Sequence, residues 1–418
     1  MGRWAAFELG RMGRSGFFHV LGAQGIARIV TVIQGLILAR ILTREDLGRY
    51  AVFSSVLAIG GIISQAGIPS ALSRFTTLAN SDYQRERLKN SAVMVSILWS
   101  LIIGVVLGFS PLSHLLSTEP WIWRVMPLSL IILPLGSLTQ ACLSWLHGMN
   151  RLKRKSLLES VSSISTLVIV LGSAAVWEVS GAALGRAIAV LASGLLLIVA
   201  TRTKPGFHGG YPPGFWRYAC FSLLSASFST MIHTADTLVL SALRIDSGII
   251  GDYRVAAMVY MGLSMIPSAA MHTVFPSLVR LFGEGQDLSG RYRSMVIRLV
   301  GYGIGMGVIG ILVVPQVVVV VLGSKYAGSS PFIRILSAGL PFRALVLCAG
   351  SMILAMGKPA LNFSLLILSG SANIALNIGL VSRIGAEGAA WATLTTEFLS
   401  AMGGTAAVII MLKGKRRE

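Results

Sequence analysis

Apolar runs of about 20 residues, the length that crosses a bilayer as a helix rising 1.5 Å per residue, recur along the whole chain. Six lie near 17–41, 50–73, 91–110, 124–147, 157–177 and 182–200. Six more lie near 217–243, 253–279, 295–322, 332–356, 360–381 and 387–411. The pattern predicts an all-α fold, a polytopic membrane protein with 12 transmembrane helices. Between the two sets, Lys204-Pro205-Gly206 and Tyr211-Pro212-Pro213-Gly214 interrupt any helix. The organisation read from this is a segment 1–15, a first lobe 16–201, a linker 202–216, a second lobe 217–411 and a basic tail 412–418.

The two sets look like copies. Leu47-Gly48-Arg49-Tyr50, leading into the second span, matches Ile250-Gly251-Asp252-Tyr253 before the eighth. Gly181-Ala182-Ala183 matches Gly388-Ala389-Ala390, and Pro134 in the fourth span corresponds to Pro341 in the tenth. Each copy holds an even number of spans, so two pseudo-symmetric six-helix lobes are expected, related by an axis along the membrane normal, with a site at their interface.

A few polar positions break the apolar pattern at helical spacing. Gln24, Arg28, Thr31 and Gly35 form one stripe of the first span. Arg28 sits at mid-depth, where a guanidinium costs roughly 3 kcal/mol, so it is expected to face protein or water rather than lipid. Ser222, Ser225, Ser229, His233 and Asp236 form a matching stripe in the seventh span. Arg343, two residues after Pro341, and Glu397 in the twelfth span are further deep charges; at Pro341 a lost hydrogen bond is expected to turn backbone groups inward. Guanidinium forks suit phosphate oxygens, and hydroxyls and amides suit a saccharide. Arg28 and Arg343, with Gln24, Thr31, Ser225 and Ser229, are therefore the candidates for holding an anionic headgroup. Asp236, Glu397 and His233 are the candidates for handling a coupling ion, H+ or Na+. A second reading makes Arg28 and Asp236 an ion pair between lobes that neutralises two costly charges, and His233 reads more readily as a hydrogen-bonded interior residue than as a proton carrier.

Composition agrees with the pattern: of 418 residues 54% are hydrophobic and only 12% charged, with a mean hydropathy of +0.76. Glycine, at 46 residues, is abundant enough to let helix backbones approach closely. Cys142, Cys220 and Cys348 lie in apolar runs at no metal-ligand spacing and read as core residues, so neither a disulfide nor a metal site is expected. The net charge of +19 is spread over short loops rather than gathered in a domain, which argues against nucleic acid as a partner. It sorts by side instead. Alternate loops hold only Arg40, Arg44, Arg49, Arg124, Arg244, Arg254, Lys325, Arg334 and Arg383, and the remaining loops and both termini carry the bulk of the Lys and Arg. The basic side is expected to be cytoplasmic. No nucleotide loop, catalytic carboxylate pair or Ser-His-Asp set is present, and the longest loops are too short for a nucleotide domain. Neither an enzyme nor a cofactor beyond the coupling ion is expected.

The stretch Leu42-Thr43-Arg44-Glu45-Asp46-Leu47-Gly48-Arg49-Tyr50, running on through Gly67-Ile68-Pro69-Ser70-Ala71-Leu72-Ser73-Arg74-Phe75, resembles the opening of Wzx-type polysaccharide flippases. So do Ala235-Asp236-Thr237-Leu238-Val239-Leu240, Gly251-Asp252-Tyr253, Phe275-Pro276 and the closing Leu376-Asn377 to Ala390. These patterns are shared across the multidrug, oligosaccharidyl-lipid and polysaccharide (MOP) transporter superfamily. The resemblance implies two lobes around a central cavity. It also implies transfer of an undecaprenyl-pyrophosphate-linked oligosaccharide, an O-antigen or exopolysaccharide unit, from the inner to the outer leaflet of the bacterial cytoplasmic membrane. A polysaccharide polymerase and other assembly proteins are the protein partners such a role implies. The alternatives are a cation-coupled multidrug or small-molecule extruder, expected to show an acidic, aromatic cavity, and a flippase for another lipid-linked precursor. The peptidoglycan-precursor flippase typically carries two further helices, for which this chain has no room.

Overall fold

The computed structural model describes residues 17–109 and 119–415; side chains of residues 17–28, of His233 and His272, and of residues 414–415 fall outside the described set. Every regular element described is a helix, the form in which a chain in lipid satisfies its own backbone polar groups. In chain order these are α1 (Phe17–Ile41), α2 (Arg44–Gln65), α3 (Ile68–Leu78), α4 (Asp82–Phe109), α5 (Pro120–Val125), α6 (Ser129–Gly148), α7 (Leu152–Thr201), α8 (Phe215–Ala242), α9 (Ser247–Gly283), α10 (Ser289–Leu312), α11 (Val314–Leu322), α12 (Ser330–Ala338), α13 (Leu340–Ala355), α14 (Pro359–Ile384) and α15 (Glu387–Lys415).

Among the described residues eight helices are long and apolar enough to cross a membrane, or nine if the pair 324–338 and 340–355, bent by 42°, is one span. The fold is thus an all-α polytopic membrane protein. One reason the sequence shows more spans is α7, a single helix of 50 residues by hydrogen bonding. Trp177 (φ −124°, ψ 23°) and Glu178 (φ 51°, ψ −135°) leave the helical region there. The chain doubles back so tightly that a Cβ on Gly181 would lie 2.0 Å from the Ser173 carbonyl oxygen. The runs 157–177 and 182–200 are the two arms of this hairpin. The expected span 50–73 falls within 44–78, one of these eight, although Ala66 and Gly67 adopt positive φ between α2 and α3.

The chain forms two compact units, one of residues 1–42 and 53–230, the other of residues 43–52 and 231–418. In the first, Ile68, Leu72, Ala92, Leu138, Cys142, Leu146, Leu197 and Phe215 gather in one apolar core from α3, α4, α6, α7 and α8. Lys89 is fully buried at its edge, donating to the Thr201 carbonyl (2.8 Å) and lying 4.3 Å from the centre of the Trp145 ring. In the second unit, Met271, Leu278, Tyr292, Cys348, Met352 and Val408 join α9, α10, α13 and α15. Cys142 and Cys348 are buried as expected, but Cys220, on α8, is exposed.

The first turns of α2 belong to the second unit, where they cross α9 at two glycines. A Cβ on Gly48 would meet the Ser247 carbonyl oxygen at 1.8 Å, and one on Gly251 the Arg44 carbonyl oxygen at 2.1 Å. Arg44 closes the crossing with a fork onto Asp252, Nε to Oδ1 at 3.2 Å and Nη2 to Oδ2 at 2.5 Å. The matching motifs at 47–50 and 250–253 are therefore the two sides of one helix crossing.

Candidate functional site

The second unit holds two buried polar clusters. At the first, Asp236 on α8 is 8% exposed and accepts from three neutral donors. Asn377 Nδ2 on α14 reaches Oδ1 at 2.8 Å, Thr393 Oγ1 on α15 reaches Oδ2 at 2.8 Å, and the Tyr253 hydroxyl on α9 also donates to Oδ2. Asn373, one turn before Asn377, continues the cluster: Asn377 Nδ2 also donates to its carbonyl at 2.9 Å, and Asn373 Nδ2 lies 3.5 Å from Thr396 Oγ1. Asn377 Oδ1 is buried with no donor. A carboxylate, an amide oxygen in want of a partner and hydroxyl oxygens make an oxygen-rich pocket with no basic side chain among the described contacts. That donor set suits a proton or a hard monovalent cation, whose charge would offset the cost of a buried carboxylate. Among the described residues no group of three His, Cys, Asp or Glu side chains stands close enough to hold a metal ion.

At the second cluster Arg343 on α13 donates from Nη1 to Glu397 Oε1 on α15 at 3.2 Å, and the Tyr260 hydroxyl donates to the same oxygen at 3.3 Å. The guanidinium is not beside a gap in a helix, as its place after Pro341 predicts. Pro341 lies in the first turn of α13, beyond the bend at Gly339, where a missing N–H costs nothing, and the Arg343 amide donates to the Gly339 carbonyl at 2.9 Å. Pro134, its counterpart in the repeat, lies inside α6.

Of the remaining candidates, Thr31 is exposed on α1, and Ser225 and Ser229 are exposed on the part of α8 that belongs to the first unit. Gln24, Arg28 and His233 lie on helices, but their side chains fall outside the described residues. The structure therefore joins Arg343 to Glu397, a pairing the sequence does not indicate, and surrounds Asp236 with neutral groups. Tyr260, Asn373, Thr393 and Thr396 were not singled out from sequence, and Tyr253 and Asn377 entered only as parts of motifs, not as site residues. A signal was present. Asn373 and Asn377 stand four apart in an apolar run, as do Thr393 and Glu397, so each pair shares a helix face.

The match to known families now has a geometry behind it. Residues 14–282 match the family model described as polysaccharide biosynthesis protein. The chain belongs to this family. No curated protein sequence matches it. Among solved structures it is similar to the lipid II flippase MurJ in an inward closed conformation, at 15% identity and a TM-score of 0.80 over 92% of this chain and 86% of that one. It is also similar to an inward-facing multidrug resistance MATE family transporter of the MOP superfamily, at 13% identity and a TM-score of 0.77 over 94% and 96% of the two chains. At this identity the likeness shows the fold, which is that of MOP transporters. Both neighbours are transporters, not enzymes.

Proposed function

We propose that this member of the polysaccharide biosynthesis family is a flippase. It moves an undecaprenyl-pyrophosphate-linked oligosaccharide from the cytoplasmic to the outer leaflet of the bacterial inner membrane by alternating access, with both termini cytoplasmic. The family match over residues 14–282 carries the cargo class. The Asp236 cluster carries the energy source, since it is a buried carboxylate without a described cationic partner, unlike Glu397. A proton or sodium ion on Asp236 and Asn377 would bind one conformation better than another and so bias the cycle. His233, one turn from Asp236, is the relay candidate if the ion is H+. Arg343, which meets Glu397 through Nη1, is the headgroup candidate of the second unit, and Arg28, Gln24, Thr31, Ser225 and Ser229 are the candidates of the first. A polysaccharide polymerase is the protein partner this role implies.

Purified protein in liposomes, given a fluorescent undecaprenyl-pyrophosphate oligosaccharide and an imposed Na+ or H+ gradient, tests both halves. Asp236→Asn is expected to reduce gradient-driven flipping about tenfold, the scale of a typical coupling free energy between sites. It should leave membrane insertion intact. Flipping indifferent to both gradients would remove the coupling role. Gradient-driven efflux of cationic dyes without glycan transfer would replace the cargo with that of a drug extruder.

A further inference from the structure

Away from both clusters, the first unit contains a cavity of about 560 Å³ between the α3–α4 connection and the linker. Phe75, Leu78, Leu88 and Pro212 supply apolar wall, and Asn80, Gln84, Arg87, Ser91, His208 and Tyr211 supply polar groups. No carboxylate lines it. The nearby acids are engaged elsewhere, Asp82 with Arg85 at 3.0 Å and Glu86 with Lys89. Arg87 is fixed by its Nε, which donates to the His208 carbonyl, while its Nη2 fills the space where a side chain at residue 209 would start. Gly209 has φ +137°, a conformation that side chains strain, so the linker passes close to the guanidinium because this residue is glycine. The Ser91 hydroxyl holds the next strut, accepting from the His208 amide at 3.0 Å.

Tyr211 lines this wall, but its hydroxyl is buried away from the open space, with no hydrogen-bond partner among the described residues. Burial pushes its pKa up to about 12, so the phenol stays a neutral donor at physiological pH. Leu78, in the lining, is 61% exposed, which suits an opening at the membrane interface.

We propose that this cavity binds a phosphate ester, whose oxygens accept from the Arg87 guanidinium and the Gln84 and Asn80 amides. Two sources share that chemistry: the headgroup of an anionic phospholipid in the adjoining leaflet, and a soluble phosphate ester. The site is independent of the transported cargo.

Full-length protein in phosphatidylcholine nanodiscs, with and without phosphatidylglycerol, is compared by native mass spectrometry for retained lipid and by titration with glycerol 3-phosphate. Retained phosphatidylglycerol assigns the lipid source and saturable glycerol phosphate the soluble one. In either arm Arg87→Gln is expected to weaken binding about tenfold or more, as loss of a charge-assisted hydrogen bond does. Asn80→Ala, at an exposed position of the lining, should preserve the melting temperature of the unliganded protein while weakening binding about threefold or more. Binding in neither arm, or binding unchanged by Arg87→Gln and Asn80→Ala in folded proteins, overturns the proposal.

Discussion

Two buried carboxylates of the second unit have different surroundings and should respond differently to neutralisation. Glu397 pairs with Arg343, so Glu397→Gln leaves a guanidinium without its counter-charge. Because 23% of the Arg343 side chain is exposed, the cost should fall below that of a fully enclosed pair, about 1–2 kcal/mol. Thermal unfolding in detergent measures it, and the double variant with Arg343→Gln should recover most of the loss. Asp236 meets only neutral donors among its described contacts, so Asp236→Asn should cost little stability, and its effect should appear in ion dependence. Tyr211 supplies a pH test with a definite sign. Its folded pKa is raised to about 12 by burial. The neutral phenol therefore contributes stability that is complete below the unfolded value of about 10 and is lost as pH rises through the folded value. Melting temperatures across that range should fall more steeply for the native protein than for Tyr211→Phe.

At the scale of elements, the repeated glycines mark helix crossings in which backbone meets backbone. Gly181 faces the Ser173 carbonyl in α7, and its counterpart Gly388 faces Leu380, whose carbonyl carbon would lie 2.4 Å from an added Cβ. Backbone cannot yield as a flexible side-chain tip can. Gly181→Ala and Gly388→Ala should each destabilise by about 1–3 kcal/mol or more, the range for overpacking. Gly172 on α7 and Gly379 on α14 have open space where a Cβ would go. Alanine there should change stability by no more than about 1 kcal/mol. Equal losses at all four positions, measured by thermal unfolding, would show that helix propensity rather than close approach governs these glycines.

For the whole molecule, the charge asymmetry of the loops predicts orientation. In a background lacking the exposed Cys220, Lys204→Cys should react with a membrane-impermeant maleimide only in inside-out vesicles, and Lys325→Cys only in intact cells. The reverse labelling would invert the assigned sides. Much of this was legible in the chain. Hydrophobic runs depend only on local composition, and so the all-α membrane fold, the linker breaks at Pro205 and Pro212 and the paired glycine motifs can be read directly. The sequence also marks Asp236, Arg343 and Glu397 as unusual, because a charge in an apolar run stands out without any knowledge of its neighbours.

What linear order could not supply was which polar groups meet. Asp236 and Asn377 are 141 positions apart and Arg44 and Asp252 are 208 apart, separations over which periodicity carries no information. Neutral partners such as Asn377 and Thr393 stand out little against an apolar background, yet they decide whether a buried carboxylate is paired, solvated or left to bind an ion. Local hydrophobicity thus determined that this chain is a bundle of membrane helices with charges held inside it. Only tertiary packing decided that one of those charges is neutralised by an arginine and another is surrounded by oxygens and amides, because that depends on distances set by every crossing between them.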